Sequence, residues 1–185
     1  LSRLAAAGHP QPYHVKDLEV LRALPESPAA APEPAAGAAA RRLTAEIPQE
    51  GLTAFAAWAA ETAGLDEAQA LLAGLVGGAL EIRPATVAVD SFGARRLFRI
   101  AGPGLGTVTD TTETAPALII RDLRLTRVTG LQLGAEEAPV LSLVAAGAGL
   151  SLTLECAPQQ LSAPAALALL SDVAGRLEHP LRALL

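Results

Sequence analysis

The sequence has no methionine, one cysteine, one tryptophan, one tyrosine and three phenylalanines. A single cysteine, Cys156, excludes an internal disulfide framework, and the scattered His9, His14 and His179 lack the spacing of zinc ligands, so no metal site is expected. With aromatic residues at 3%, the core must be built from Leu, Val, Ile and Ala, which favours close approach of helices to a sheet. No apolar run reaches the roughly 18 residues of a membrane span. The nearest, Leu71 to Leu80, is short and broken by Gly74, Gly77 and Gly78, and the chain is expected to be soluble. Basic charge is also scarce: the formal net charge is −5 and no basic stripe exists to neutralise phosphates, which argues against nucleic-acid binding. Arg121, Arg124 and Arg127 come nearest to such a stripe, and read as a solvated face or as ion-pair partners. The absence of a methionine at position 1 suggests an interior or processed segment, whose own targeting signal would not be visible.

What is present suffices for one medium domain and a tail: 185 residues with 51% hydrophobic content. Residues 25–40 hold four prolines and eight alanines, too little bulky apolar surface to pack, and read as a linker. Before it, Leu18, Leu21 and Leu24 are helically spaced in a short piece, 1–24; after it the main body runs over 41–185. That body opens with the alternation Leu43 to Ile47, a half-buried strand ended by Pro48. A helix from Gly51 to Ala63 places Leu52, Phe55, Ala56 and Ala59 on one face. A second helix, capped by Asp66, carries Leu71, Leu72, Leu75, Val76 and Leu80. Six strands are then expected, at 86–90, 96–100, 117–122, 127–133, 140–145 and 150–156. A last helix starts near Ser162, tolerates Pro164 in its first turn, aligns Leu167, Leu170, Val173, Ala174 and Leu177, and stops at Pro180. This order predicts an α/β sandwich with helices covering one side of a mixed sheet.

Candidate chemistry is sparse. Gly102-Pro103-Gly104-Leu105-Gly106 has the glycines of a phosphate loop, but Pro103 has no N–H and no helix is expected after it, so it reads as a turn. Cys156 as a nucleophile would need a base to form thiolate. The one downstream imidazole, His179, sits at the far end of the last helix, so a buried core thiol is expected. Ser142 and Ser151 lie in apolar strands without a Gly-x-Ser-x-Gly elbow and support no Ser-His-Asp hydrolase.

The stretch Leu152-Thr153-Leu154-Glu155-Cys156-Ala157, then Pro158-Gln159-Gln160-Leu161-Ser162-Ala163, then a long helix ending Leu177-Glu178-His179-Pro180, resembles the end of the dihydrolipoyl acyltransferase catalytic domain of 2-oxo acid dehydrogenase complexes. Arg42 to Ile47 looks like the family's first strand. Leu118 to Arg124 resembles its phenylalanine-threonine-isoleucine-serine-asparagine-leucine-glycine strand, and Ala135 to Ala145 its asparagine-proline-proline-glutamine segment and following strand. The linker, and a helix before it (Tyr13 to Glu19) resembling the end of a peripheral subunit-binding domain, fit the same layout.

The resemblance implies a chloramphenicol acetyltransferase-like sandwich, shortened between Asp110 and Ala117. It also implies a lost site. Where the family carries H-x-x-x-D-G, with the histidine as general base on a thiol, this chain has Pro158 for the histidine, Ser162 for the aspartate and Ala163 for the glycine, with Arg121 near the assisting serine. Proline accepts no proton, so that catalysis is impossible at Pro158. The implied role resembles that of the non-catalytic, dihydrolipoamide dehydrogenase-binding components of pyruvate dehydrogenase complexes, in their shortened fungal form. Such a component would form homotrimers, dock with the acyltransferase core, recruit dihydrolipoamide dehydrogenase through its N-terminal region, and reside in the mitochondrial matrix. This segment would hold no cofactor, the lipoyl group being carried on an upstream domain. The tail leucines Leu181, Leu184 and Leu185 are the expected contacts between subunits, a tail folded back on its own domain being the competing reading. A divergent acyltransferase that borrows its base from His179 or a partner chain is the rival, and an unrelated binding module with a pocket between helices and sheet is a third reading.

Overall fold

The computed structural model describes residues 39–183 apart from Pro103, together with the backbone of Leu184. The expected subunit-binding remnant 1–24 and nearly all of the linker lie outside these residues, as do the side chains of Leu184 and Leu185.

Seven strands form one mixed sheet in the order β1-β7-β6-β5-β2-β3-β4. They are β1 (Arg41–Ile47), β2 (Ala85–Ser91), β3 (Ala94–Ile100), β4 (Val108–Asp110), β5 (Leu118–Asp122), β6 (Val140–Ala146) and β7 (Gly149–Cys156). The β2–β5 and β5–β6 pairs are parallel and the others antiparallel. Three helices, α1 (Leu52–Ala63), α2 (Ala68–Gly77) and α3 (Ala163–Glu178), share one continuous core with one face of the sheet. The sandwich expected from the order of elements is what forms. Its core is aliphatic, as the scarcity of aromatics requires: Leu152, Leu154, Leu118, Ile120, Leu141 and Leu143 from the strands meet Leu72, Leu75, Val173 and Leu177 from the helices, with Phe55 and Phe98 the two aromatic members.

Close approach is built into the backbone. A Cβ on Gly149 would lie 1.7 Å from the Ile47 carbonyl oxygen, so only glycine lets the start of β7 pass the end of β1. The β2–β3 hairpin turns on Phe92 and Gly93 with φ of 51° and 78°, the two left-handed residues of a type I′ turn. At the far end of the core the Gly51 N–H donates to the Leu177 carbonyl at 2.9 Å, which seats the start of α1 against the end of α3.

Four expectations are corrected. Residues 127–133 are no strand: β5 and β6 pair in parallel, so the chain between them must cross from one end of the sheet to the other, and residues 123–139 make that crossing without regular structure. They are tied to the second sheet face by Leu133 N–H donating to Glu155 and by Arg42 donating to Gln132. Asp66 does not cap α2; Glu67 occupies that position without a capping bond and is paired with Arg96. Leu80 lies past the end of α2. Leu167, expected in the core stripe of α3, is 62% exposed; the buried stripe is Ala166, Leu169, Leu170, Val173 and Leu177.

Candidate functional site

Strand β7 delivers the chain into a turn at Pro158–Gln160, and Ser162 then starts α3. The polar groups of Gln160 and Ser162 in this connection are used structurally. The Gln160 side chain bends back so that its Oε1 accepts from the Ala157 N–H at 2.7 Å, while its Nε2 donates to the Glu136 carbonyl, also at 2.7 Å. The Gln160 N–H donates to the Ala157 carbonyl at 3.0 Å, closing the turn. Arg41 of β1 donates to the Leu161 carbonyl at 2.7 Å. The Ser162 Oγ accepts from the Ala165 N–H at 3.2 Å, the geometry of a helix N-cap. Ala163 is the first helical residue, and half-buried Pro158 presents a pyrrolidine ring with nothing to donate or accept.

Arg121 is brought to the same place through Glu136. Its Nη2 donates to the Glu136 carboxylate at 2.6 Å, both side chains being largely buried, and the backbone carbonyl of that glutamate receives Gln160. Arg121 is thus tied to the Ala157–Gln160 turn by a latch through Glu136 and Gln160, two residues to which the sequence alone assigns no role.

Beside this turn lies an open-sided groove of about 520 Å³. Leu161, Ala165 and Leu169 of the turn and α3 line it together with Leu80 and Ile82 after α2 and with Ala138 and Pro139 of the crossing segment. Its rim is acidic. Glu137 is paired with Arg95 at 3.0 Å and Asp172 with Arg176 at 3.0 Å, while Glu81 makes no salt bridge among the described residues. No lysine, arginine or histidine lines it.

The remaining candidates are dispersed. Cys156 is fully buried in the core, and burial pushes its thiol pKa up against the opposing charge of Arg41, so thiolate is disfavoured. His179 is exposed at the opposite end of α3, a 16-residue helix about 24 Å long. Ser142 is buried in β6 beside Arg121 of β5, its hydroxyl without a partner among the described residues. The half-buried Ser151 donates to Glu46 at 2.8 Å. The glycine-rich 102–106 stretch leads into a single short turn, Leu105–Thr107, clasped by Thr107 Oγ1, which donates to the Gly104 carbonyl at 2.6 Å. Arg121 and Arg124 are ion-pair partners as expected, Arg124 with Asp122 at 2.7 Å, but of the three arginines only Arg121 lies in a strand. In the tail, Leu181 is 55% exposed and, with Phe55 and Trp58 of α1, lines a separate groove. Among the described residues no cluster of His, Cys, Asp or Glu fits a metal, and no helix is long and apolar enough to cross a membrane.

No family model and no curated protein sequence matches this chain. Solved structures do. The cubic core of the pyruvate dehydrogenase multienzyme complex is similar with a TM-score of 0.52 at 11% identity, over 79% of this chain and 83% of that one. The probable dihydrolipoamide acetyltransferase of Listeria monocytogenes 4b F2365 is similar with a TM-score of 0.52 at 10% identity, over 93% of this chain and 95% of that one. The dihydrolipoamide acetyltransferase of Azotobacter vinelandii, whose catalytic mechanism has been probed at a serine, a histidine and an asparagine, gives 0.52 at 13% identity, over 79% and 83%. The chain is therefore structurally similar to the dihydrolipoyl acyltransferase catalytic core, with an apolar, acid-rimmed groove beside the turn that holds Pro158.

Proposed function

We propose that this chain is a non-catalytic assembly component of a 2-oxo acid dehydrogenase complex, in the first place that of pyruvate, of the kind known as protein X or dihydrolipoamide dehydrogenase-binding protein. The observation that carries the proposal is Pro158 itself. General base catalysis needs a proton acceptor within hydrogen-bond reach of the attacking group, and the strand-to-helix turn offers a proline there, with Gln160 and Ser162 after it committed to backbone bonds. The rival that borrows its base from His179 has to span the length of α3.

The groove supports the same reading. Glu81, Glu137 and Asp172 around its mouth oppose a polyanionic thioester donor such as an acyl-CoA. In this role the domain forms homotrimers that dock with the acyltransferase core, with Leu181, Leu184 and Leu185 as subunit contacts. The N-terminal region recruits dihydrolipoamide dehydrogenase, the lipoyl group rides on an upstream domain, and the complex works in the mitochondrial matrix. The test of the catalytic half is acyl transfer from acyl-CoA to dihydrolipoamide by the purified chain. No turnover above the uncatalysed rate is expected; turnover above it, and most clearly turnover abolished by His179→Ala, overturns the proposal.

A further inference from the structure

The groove beside the turn is larger than a packing defect and has the makings of a ligand site. Its volume of about 520 Å³ falls in the range of small-molecule sites, which are concave, mostly apolar and carry few polar groups. Its walls are aliphatic, and the one amide that faces it, Gln160, already spends both ends on Ala157 and Glu136. Ile82, 82% exposed at the lip, is an apolar side chain with no cover of its own among the described residues. Polarity enters only at the mouth and is of one sign: Glu81, Glu137 and Asp172 line the groove and no cationic side chain does. Glu137 and Asp172 are engaged by Arg95 and Arg176, which leaves Glu81 as the carboxylate without a salt bridge.

We infer that the groove binds a small amphiphile with an apolar body and a cationic head, the body lying along Leu80, Leu161 and Leu169 and the head at Glu81. Charge complementarity selects this class over fatty carboxylates and acyl thioesters of similar size, whose anionic heads would meet the acidic mouth. The inference concerns this cavity alone and stands whether or not the domain assembles with other chains.

Isothermal titration of the full chain with octyltrimethylammonium, and separately with octanoate, tests it. The cationic probe should bind at one site, about fivefold more tightly than octanoate at low salt, as expected of exposed carboxylates acting on a charged head, and high salt should narrow the difference. Glu81→Gln should narrow it as well. Ala168→Trp, at an exposed position of α3 on the groove wall where circular dichroism can verify that the fold is kept, should abolish binding of both probes. Octanoate binding as tightly as the cation, no binding of either probe, or unchanged binding in the folded Ala168→Trp variant each overturns the inference.

Discussion

Gln160 ties its turn to the crossing segment between β5 and β6. Its amide satisfies a backbone donor at Ala157 and a backbone acceptor at Glu136, so removal strands two part-buried groups at once. Gln160→Ala should cost about 2 kcal/mol of stability, read by chemical denaturation. Asp122 makes a second local statement. Burial works against its charge, but the Arg124 guanidinium at 2.7 Å outweighs it and holds the carboxyl pKa below the ordinary 3.8. A lowered folded-state pKa means stability that is present above the ordinary value and is lost as the pH falls through the folded one. Wild type should exceed Asp122→Asn by about 2 kcal/mol at neutral pH, and denaturation at decreasing pH should show that gap closing below 3.8. At this scale the sequence shows residue chemistry better than tertiary pairing. Pro158 is legible because a proline cannot accept a proton, whereas the latch through Glu136 joins residues 24 apart in sequence, a pairing set by tertiary structure.

The elements were largely readable because burial follows their periods. β1 alternates half-buried and exposed side chains along its length, and α1 buries Leu52, Phe55 and Ala59 as its spacing predicts. The misreadings have geometric causes. Leu167 lies about 100° around the helix axis from Ala166, and α3 turns the alanine inward, where it packs in the core, and the leucine outward. Leu170→Ala should therefore cost about 2–5 kcal/mol and Leu167→Ala less than about 0.5 kcal/mol in the same denaturation experiment. The segment 127–133 has strand-like composition but cannot pair with β6, the next strand in the chain, which is already flanked by β5 and β7. Composition reports side-chain preference; occupancy of the sheet decides whether a strand can form. Asp66 illustrates the same limit at a helix end, where the pairing of Glu67 with Arg96 of β3 takes precedence over a local cap.

For the whole molecule, aliphatic content and the order of elements were enough to place three helices on one side of a mixed sheet, and the fold is that of the dihydrolipoyl acyltransferase core. The groove was not legible, because it is assembled from the segment after α2, the lead-in to β5, the crossing segment and the start of α3, which are far apart in sequence. Catalysis and assembly separate at this scale. The turn that holds Pro158 is closed by Gln160 and followed by Ser162 capping α3, so under the proposed function the fold persists at this point without a catalytic base. The central claim is that this domain is kept to assemble, and sedimentation velocity of the purified chain tests it most directly. The account predicts a species of three times the 18.8 kDa chain mass; a single species at the monomer mass across the concentration range would contradict it.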